Sequence, residues 1–155
     1  MDVSINCPYR PDAAGLIDIE GIARFVIESE GKPACTEVSV NFVTDDEIHQ
    51  LNREYRGIDR ATDVLSFECD GVADAGFDAA EADVYELGDI VIAPDVCERQ
   101  AAEFGTAFPD ELSLMLVHGL LHLCGYDHCE DGEAEEMERR ERELLSSFYG
   151  RPFAR

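Results

Sequence analysis

The chain has 155 residues, of which 45% are apolar, and a formal net charge of −23 at pH 7. This length and composition predict one globular domain, residues 1–155, with no apolar run near the roughly 18 residues of a membrane span and no N-terminal signal peptide. The strong negative charge argues against non-specific binding to nucleic acid, so any RNA-binding function would need a local patch of positive charge.

The predicted elements alternate between strands and helices. Apolar residues at every second position indicate strands, and apolar residues three and four apart indicate helices. The acidic segment 69–85 has no strong period and is expected to form a mobile loop or a hairpin. In chain order, the patterns predict a strand at 2–7, a helix at 16–30, a strand at 36–43, a helix at 44–53, strands at 64–67 and 87–93, and helices at 94–104, 110–124 and 131–148. This order predicts an α+β fold with a mixed sheet of about four strands packed with about five helices.

Positively charged residues are unevenly distributed along the chain. No Lys or Arg occurs from 61 to 98 or from 101 to 138, and positive charges concentrate in two clusters. A basic cluster within an acidic chain is a candidate phosphate site. The two clusters are Arg53, Arg56 and Arg60, and Arg139, Arg140 and Arg142.

The six cysteines are spread out without a C-x-x-C pair, which is typical of reduced thiols in a cytoplasmic protein.

Three of the four histidines lie close together in the segment 110–131. The residues before and between His118 and His122 are mostly apolar, which predicts a buried central helix. These two histidines are four positions apart, so they share one face of that helix. Gly125 can end the helix and let the chain turn back, which would bring His128 towards the pair. His49, beside the apolar stripe of its own helix, is expected on the surface.

This arrangement predicts a metal site. Zinc binds imidazole nitrogen, and three protein ligands with an open fourth position are typical of a catalytic zinc ion. The spacing of His118, His122 and His128, with Gly125 between, equals that of the metzincin motif H-E-x-x-H-x-x-G-x-x-H. Position 119 is glycine, however, where a zinc protease carries its glutamate general base.

Two structural alternatives remain open for the same residues. The histidines could be buried side chains that are hydrogen-bonded to neighbours, since a buried imidazole needs partners for its nitrogens. Alternatively, Cys124 and Cys129 could join them in a structural zinc site with mixed ligands. Cys124 follows His122 by two residues and should point away from the face that carries His118 and His122.

Three segments resemble signatures of the YbeY family of bacterial metal-dependent endoribonucleases. They are H-G-L-L-H-L-C-G-Y-D-H at 118–128, Y-R-G-I-D-R-A-T-D-V-L-S-F at 55–67 and L-G-D-I-V-I at 87–92. Their order and spacing fit over most of the chain, from about residue 36 to residue 148. Ala61 and Glu68 depart from the family pattern, which usually has proline at both places; these positions concern loop rigidity and not ligands.

The resemblance implies a zincin-like fold, with a mixed sheet beside a central helix that carries the metal site. It implies one zinc ion per chain, held by His118, His122 and His128, and a functional arginine at Arg56. It also implies an activity on single-stranded ribosomal RNA, in maturation of the 3′ end of the small-subunit RNA and in ribosome quality control. The implied partners are the small ribosomal subunit, its proteins and a ribosome-assembly GTPase.

Arg56 suits a phosphate clamp, because a guanidinium is always charged and can bind two phosphate oxygens at once. The alternative for Arg56 is a solvated side chain paired with Asp59 or Asp63. Asp127 could orient an imidazole, act as a base or cap the turn. The attacking group would be either a water activated at the metal or the 2′-hydroxyl of the RNA. Only the resemblance points to two further cleft residues, Asn52 and Ser66.

Two rival functions remain open at this stage. The protein could be a non-catalytic ribosome-assembly factor in which a metal holds the fold, with its acidic surface against basic ribosomal proteins. It could also be a metalloprotease or another metal-dependent hydrolase, although Gly119 argues against a protease.

Overall fold

The computed structural model describes residues 1–69, 84–127 and 129–153. Within these ranges the chain forms four strands and six helices, and none of these helices is long and apolar enough to cross a membrane. In chain order they are β1 (Asp2–Asn6), α1 (Pro11–Ala14), α2 (Ile19–Ser29), β2 (Thr36–Phe42), α3 (Asp45–Arg56), β3 (Val64–Glu68), β4 (Tyr85–Ile92), α4 (Pro94–Phe104), α5 (Phe108–Leu123) and α6 (Asp131–Tyr149).

The four strands form one mixed sheet in the order β1-β2-β4-β3. β1, β2 and β4 run parallel, and β3 pairs with β4 in the antiparallel direction at the edge. The predicted α+β fold with a mixed four-stranded sheet is therefore confirmed. Because side chains alternate along a strand, β4 sends Ile90 and Ile92 to one face of the sheet and Val91 to the other.

The larger hydrophobic core lies between the sheet and α5, as the apolar character of this helix predicts. Leu112, Leu116 and Leu120 of α5 are fully buried, and α2, α4 and α6 pack around the same helix. A smaller core on the opposite face of the sheet joins Ile48 of α3 to Leu65 of β3. The sheet therefore lies between α5, which carries the predicted metal ligands, and α3, which carries Arg56.

Two glycines allow α5 to lie close against the sheet. A Cβ atom on Gly119 would lie 3.1 Å from Cγ2 of Ile90 and 3.2 Å from Oγ of Ser66. Gly88 in β4 has φ +148°, and a Cβ there would overlap the carbonyl oxygen of Phe67 and lie 2.9 Å from Leu123 of α5. Residues with a side chain rarely adopt this backbone conformation, so glycine is required at position 88 for both backbone and packing reasons.

The structure corrects several predicted boundaries. The sequence analysis missed α1, because Pro11 was taken only as a strand breaker, whereas it occupies the first turn of a short helix. α3 continues to Arg56, three residues beyond the predicted end, and stops at Gly57 in the left-handed conformation. β4 begins at Tyr85 and not at Leu87. Most of the predicted acidic loop, residues 70–83, lies outside the described residues.

Candidate metal centre and cleft

His118 and His122 face one another across one turn of α5. Their Nε2 atoms are 3.2 Å apart, and their ring centroids are 4.7 Å apart. The helix ends at Leu123, and Gly125 follows with φ 104°, which agrees with the predicted glycine turn. The third predicted ligand, His128, lies outside the described residues. The described ranges contain no group of three His, Cys, Asp or Glu side chains placed to hold a metal ion.

The other nitrogen of each imidazole is held by an oxygen atom. Nδ1 of His118 lies 2.8 Å from Oε1 of Glu141, and Nδ1 of His122 lies 3.0 Å from the carbonyl oxygen of Tyr126. A carbonyl oxygen only accepts hydrogen bonds, so Nδ1 of His122 carries the proton and donates it. An ionised Glu141 fixes the same tautomer on His118. In both neutral rings the lone pair is then on Nε2, and the two lone pairs point towards one another.

This donor set fits a metal ion. With the proton of each neutral ring on Nδ1, both Nε2 atoms, 3.2 Å apart, carry a lone pair that the same cation could accept. Two nitrogen ligands at about 2.0–2.1 Å from a tetrahedral zinc ion lie about 3.3 Å apart, close to the observed separation. A carboxylate or carbonyl on the distal nitrogen is also the usual second contact of a metal-bound histidine. The pair is thus arranged as two of the three predicted ligands.

Glu141 is a functional candidate that the sequence analysis missed. It lies on α6, is only 6% exposed, and orients His118 from a position 23 residues along the chain. Its signal in the sequence is a charged residue within the apolar stripe of α6, between Met137 and Leu144, both of which are buried. Carboxylates are rarely buried without a partner, so such a position indicates a specific contact.

The loop after α5 is tied to two other helices through Tyr126. Its hydroxyl donates to Glu30 at 3.3 Å, and Nε of Arg140 on α6 donates to the same carboxylate at 2.8 Å. Burial and the negative charge of Glu30 raise the pKa of the Tyr126 hydroxyl, so it remains a donor at neutral pH. Because the Tyr126 carbonyl orients His122, this network of three side chains supports the position of that imidazole.

The two histidines share a cleft of about 880 Å³ with Arg56 and Arg60. The cleft runs beside the edge strand β3. Asn52 and Ser66, which only the family resemblance indicated, also line it, and so does Asp127. The remaining lining residues described are Tyr55, Ile58, Thr62, Asp63, Val64, Leu65, Phe67, Glu68, Gly125, Tyr126 and Cys129.

Arg56 occupies the last position of α3 and is exposed at the cleft. The two carboxylates considered as its partners bond to other groups. Asp59 lies 2.7 Å from Nε2 of His49, and Asp63 accepts the backbone N–H of Val64 at 2.8 Å. No ion pair of Arg56 is present among the described residues, so its guanidinium is available to a ligand. The contact with Asp59 and a 41% exposed side chain agree with the prediction that His49 is a surface residue.

Two arginines of the second cluster, Arg139 and Arg140, pair with carboxylates of α6 and of the residue that follows α2. Arg140 binds Glu30 and also Glu143, at 3.1 Å, and Arg139 lies 3.8 Å from Glu143. Arg142 lines a surface depression among several glutamates of the same helix. The local positive charge that an RNA-binding function requires is therefore found at the cleft, in Arg56 and Arg60.

The structure also explains why no glutamate base stands beside the first histidine. A side chain at position 119 would point against Ile90, Ser66 and Val64, and Oγ of Ser66 donates to the carbonyl oxygen of Gly119 at 3.0 Å. A glutamate would require these side chains of the sheet to shift. This disfavours the protease alternative on packing grounds.

Asp127 and Cys129 lie together at the cleft, whereas Cys124 packs against the core. Asp127 is exposed in the cleft and accepts a hydrogen bond from the Cys129 thiol at 3.2 Å. Glu141 orients His118, and the orienting role considered for Asp127 stays a prediction. Cys124 packs against the main core, and burial raises its pKa to about 12. Cys124 does not line the cleft, whereas Cys129 does, so the mixed Cys/His site remains a hypothesis.

Comparison with known proteins shows the family to which the chain belongs. The family model described as endoribonuclease YbeY matches residues 16–149. Proteins with the name endoribonuclease YbeY are similar over most of the chain. One from Exiguobacterium sibiricum is 45% identical over 132 residues, which are 84% of each chain. One from Bacillus subtilis is 42% identical over 134 residues, which are 86% of this chain and 85% of the other. A solution structure of a Thermotoga maritima protein covers 97% of this chain and 90% of its own, with a TM-score of 0.64 and 28% identity. The chain belongs to the YbeY family of endoribonucleases.

Proposed function

We propose that this protein is a zinc-dependent endoribonuclease that cuts single-stranded RNA in the cytoplasm. The observation that carries the proposal is the single cleft that contains the His118–His122 pair together with Arg56. Metal ligands beside an uncommitted arginine suit the transfer or hydrolysis of a phosphate ester, in which negative charge develops on non-bridging oxygens. Membership of the YbeY family supports RNA as the polymer that supplies this ester.

One set of residues would bind the metal ion, and another would bind the substrate. His118, His122 and His128 would ligate one zinc ion, with Glu141 and the Tyr126 carbonyl orienting the first two rings. A bound zinc ion supplies a Lewis acid that polarises a phosphoryl oxygen.

Arg56 would bind the same phosphate in bidentate fashion, and its position at the end of a rigid helix limits the entropy lost on binding. Asp127, which is exposed in the cleft, would accept a proton from the attacking hydroxyl group or water.

The biological substrate we propose is the 3′ end of small-subunit ribosomal RNA, with a further role in ribosome quality control. The net charge of −23 fits a protein that binds RNA only where a partner presents it, since the acidic surface repels phosphate elsewhere. The same surface would suit basic proteins of the small ribosomal subunit. A ribosome-assembly GTPase is a further proposed partner.

The metal site is tested by zinc content. His122→Ala should lose bound zinc, because one of three ligands is absent, whereas His49→Ala should keep about one ion per chain. Both variants remove one histidine, but His49 contacts Asp59 on the surface and does not line the cleft. Metal is measured after dialysis by atomic emission. Full zinc retention by His122→Ala would remove the site as proposed.

The activity is tested on a single-stranded RNA with purified wild type, Arg56→Ala and a chelator-treated sample. Loss of the clamp should reduce cleavage by about 10²–10³-fold, the usual effect of removing one donor to a transition-state oxyanion. Arg53→Ala is the matched control, because it removes an exposed arginine from the same helix but away from the cleft. Equal cleavage by Arg56→Ala and Arg53→Ala would refute the clamp. Zinc binding without cleavage by wild type would favour the assembly-factor function.

A further inference from the structure

Two aromatic side chains lie in the wall of the cleft next to Arg56. Tyr55 is 67% exposed, which is unusual for a large ring, and its centroid is 5.2 Å from that of Phe67 at an interplanar angle of 72°. Phe67 is partly buried against the smaller core, so it gives the exposed ring a fixed neighbour. Both residues line the same cleft as His118 and His122.

The local structure explains why Tyr55 is presented to the cleft. It is the penultimate residue of α3, directly before Arg56, and the helix ends at Gly57. Nδ2 of the buried Asn52 donates to the carbonyl oxygen of Arg60 at 2.9 Å, which holds the following segment against the helix. The ring of Tyr55 and the guanidinium of Arg56 are therefore held by one rigid unit and can contact the same ligand.

We propose that Tyr55 and Phe67 form a stacking subsite for one unpaired RNA base, next to the phosphate that Arg56 binds. This inference rests on the proposed function and adds the part of the substrate that the subsite recognises. A base stacks on an aromatic ring whatever its identity, because every base has a π-face. A base within a duplex is already stacked and paired, so the subsite selects single-stranded RNA without reading its sequence.

With so strong a negative charge, the protein gains little RNA affinity from electrostatics alone. Non-specific affinity for nucleic acid comes mostly from neutralised phosphates, and a chain of charge −23 with Arg56 and Arg60 at its cleft has few cations for this purpose. Stacking does not depend on net charge. Removing one stacking ring weakens single-strand binding by about fivefold to 150-fold.

The test uses a short single-stranded RNA with one 2-aminopurine, whose fluorescence falls when it stacks. The metal-loaded protein is mixed with RNAs that carry the probe at successive positions, and fluorescence is read immediately after mixing. Wild type should quench the probe at one position. Tyr55→Phe should quench it as well, and Tyr55→Leu should lose both the quench and at least about fivefold in affinity. Phe104→Leu is the matched control, since Phe104 is 55% exposed but does not line the cleft.

Inorganic polyphosphate, which has no bases, separates stacking from a general disturbance of the cleft. Tyr55→Leu should bind it as wild type does, whereas Arg56→Ala should bind it more weakly. If RNA binds and depends on Arg56 but not on Tyr55, the subsite is refuted and the proposed function stands. If Tyr55→Leu weakens polyphosphate as much as RNA, stacking is also refuted. If wild type neither binds nor cuts RNA, both the subsite and the proposed function are refuted.

Discussion

Replacement of Glu141 by alanine should weaken zinc binding without unfolding the protein. The carboxylate lies 2.8 Å from Nδ1 of His118 and is 6% exposed, so the hydrogen bond is short, charge-assisted and largely shielded from water. Without it the imidazole can rotate, and the tautomer that presents Nε2 to the metal is no longer fixed. The affinity of the site should fall because the ligand must be ordered when zinc binds.

Two arguments give the same magnitude for this loss. Loss of an outer partner of a metal-bound histidine typically costs 10-fold to 100-fold in metal affinity, about 1.4–2.7 kcal/mol. A hydrogen bond to a charged group contributes about 1.5–3 kcal/mol. Glu141→Gln keeps an acceptor oxygen but loses the charge, so its zinc affinity should lie between those of wild type and Glu141→Ala.

The assay is competition for zinc with a chromophoric chelator, supported by circular dichroism of the metal-free proteins. Glu138→Ala is the matched control, because Glu138 is exposed on the same helix three residues earlier. It should bind zinc as wild type does. If Glu141→Ala holds zinc within twofold of wild type while it remains folded, Glu141 does not orient a metal ligand.

Two further predictions concern stability. Gly88→Ala should lower the free energy of unfolding by more than about 2 kcal/mol in urea titrations, because the new Cβ meets backbone at positive φ. Gly132→Ala, with nothing within 4 Å, should be neutral or stabilising by about 0.4–1 kcal/mol, and equal losses in both variants would contradict the packing argument. A hydrogen bond from Tyr9 and, to a smaller extent, one from Arg10 lower the pKa of Asp95. The contribution of ionised Asp95 to the free energy of unfolding is therefore fully present above the ordinary aspartate pKa, and it is lost as pH falls through the lowered pKa. Asp95→Asn should therefore destabilise the protein at pH 7, and the difference from wild type should shrink below about pH 4; a constant difference would refute the linkage.

Local patterns in the sequence predicted most of the secondary structure because they need no partner to be recognised. The alternation along β2 and the apolar α5 each specify an element by their own period. The errors are one short helix that was missed and several misplaced ends of elements. α1 was missed because a proline can either break a strand or begin a helix. α3 was ended too early because the residues before a glycine can continue a helix or lie in a turn. In both places tertiary packing decides between the two conformations.

By itself, the sequence determined the character of the candidate site. The spacing of His118 and His122 on an apolar helix requires that they share a face, and the structure places their Nε2 atoms 3.2 Å apart. Arg56 was identified by a motif and by the general fitness of arginine for phosphate. The position of His128 stays a prediction, since that residue lies outside the described part of the chain.

Only the tertiary structure decided which distant residues support this site. Glu141 contacts His118 from 23 residues along the chain, and Glu30 contacts Tyr126 from 96 residues away. Local periodicity in the sequence therefore predicts neither contact. The fold also decided that Arg56 borders the cleft while Arg140 is neutralised by carboxylates. Such contacts depend on how helices pack in space, and a sequence specifies that packing only through the whole core and not through any one segment.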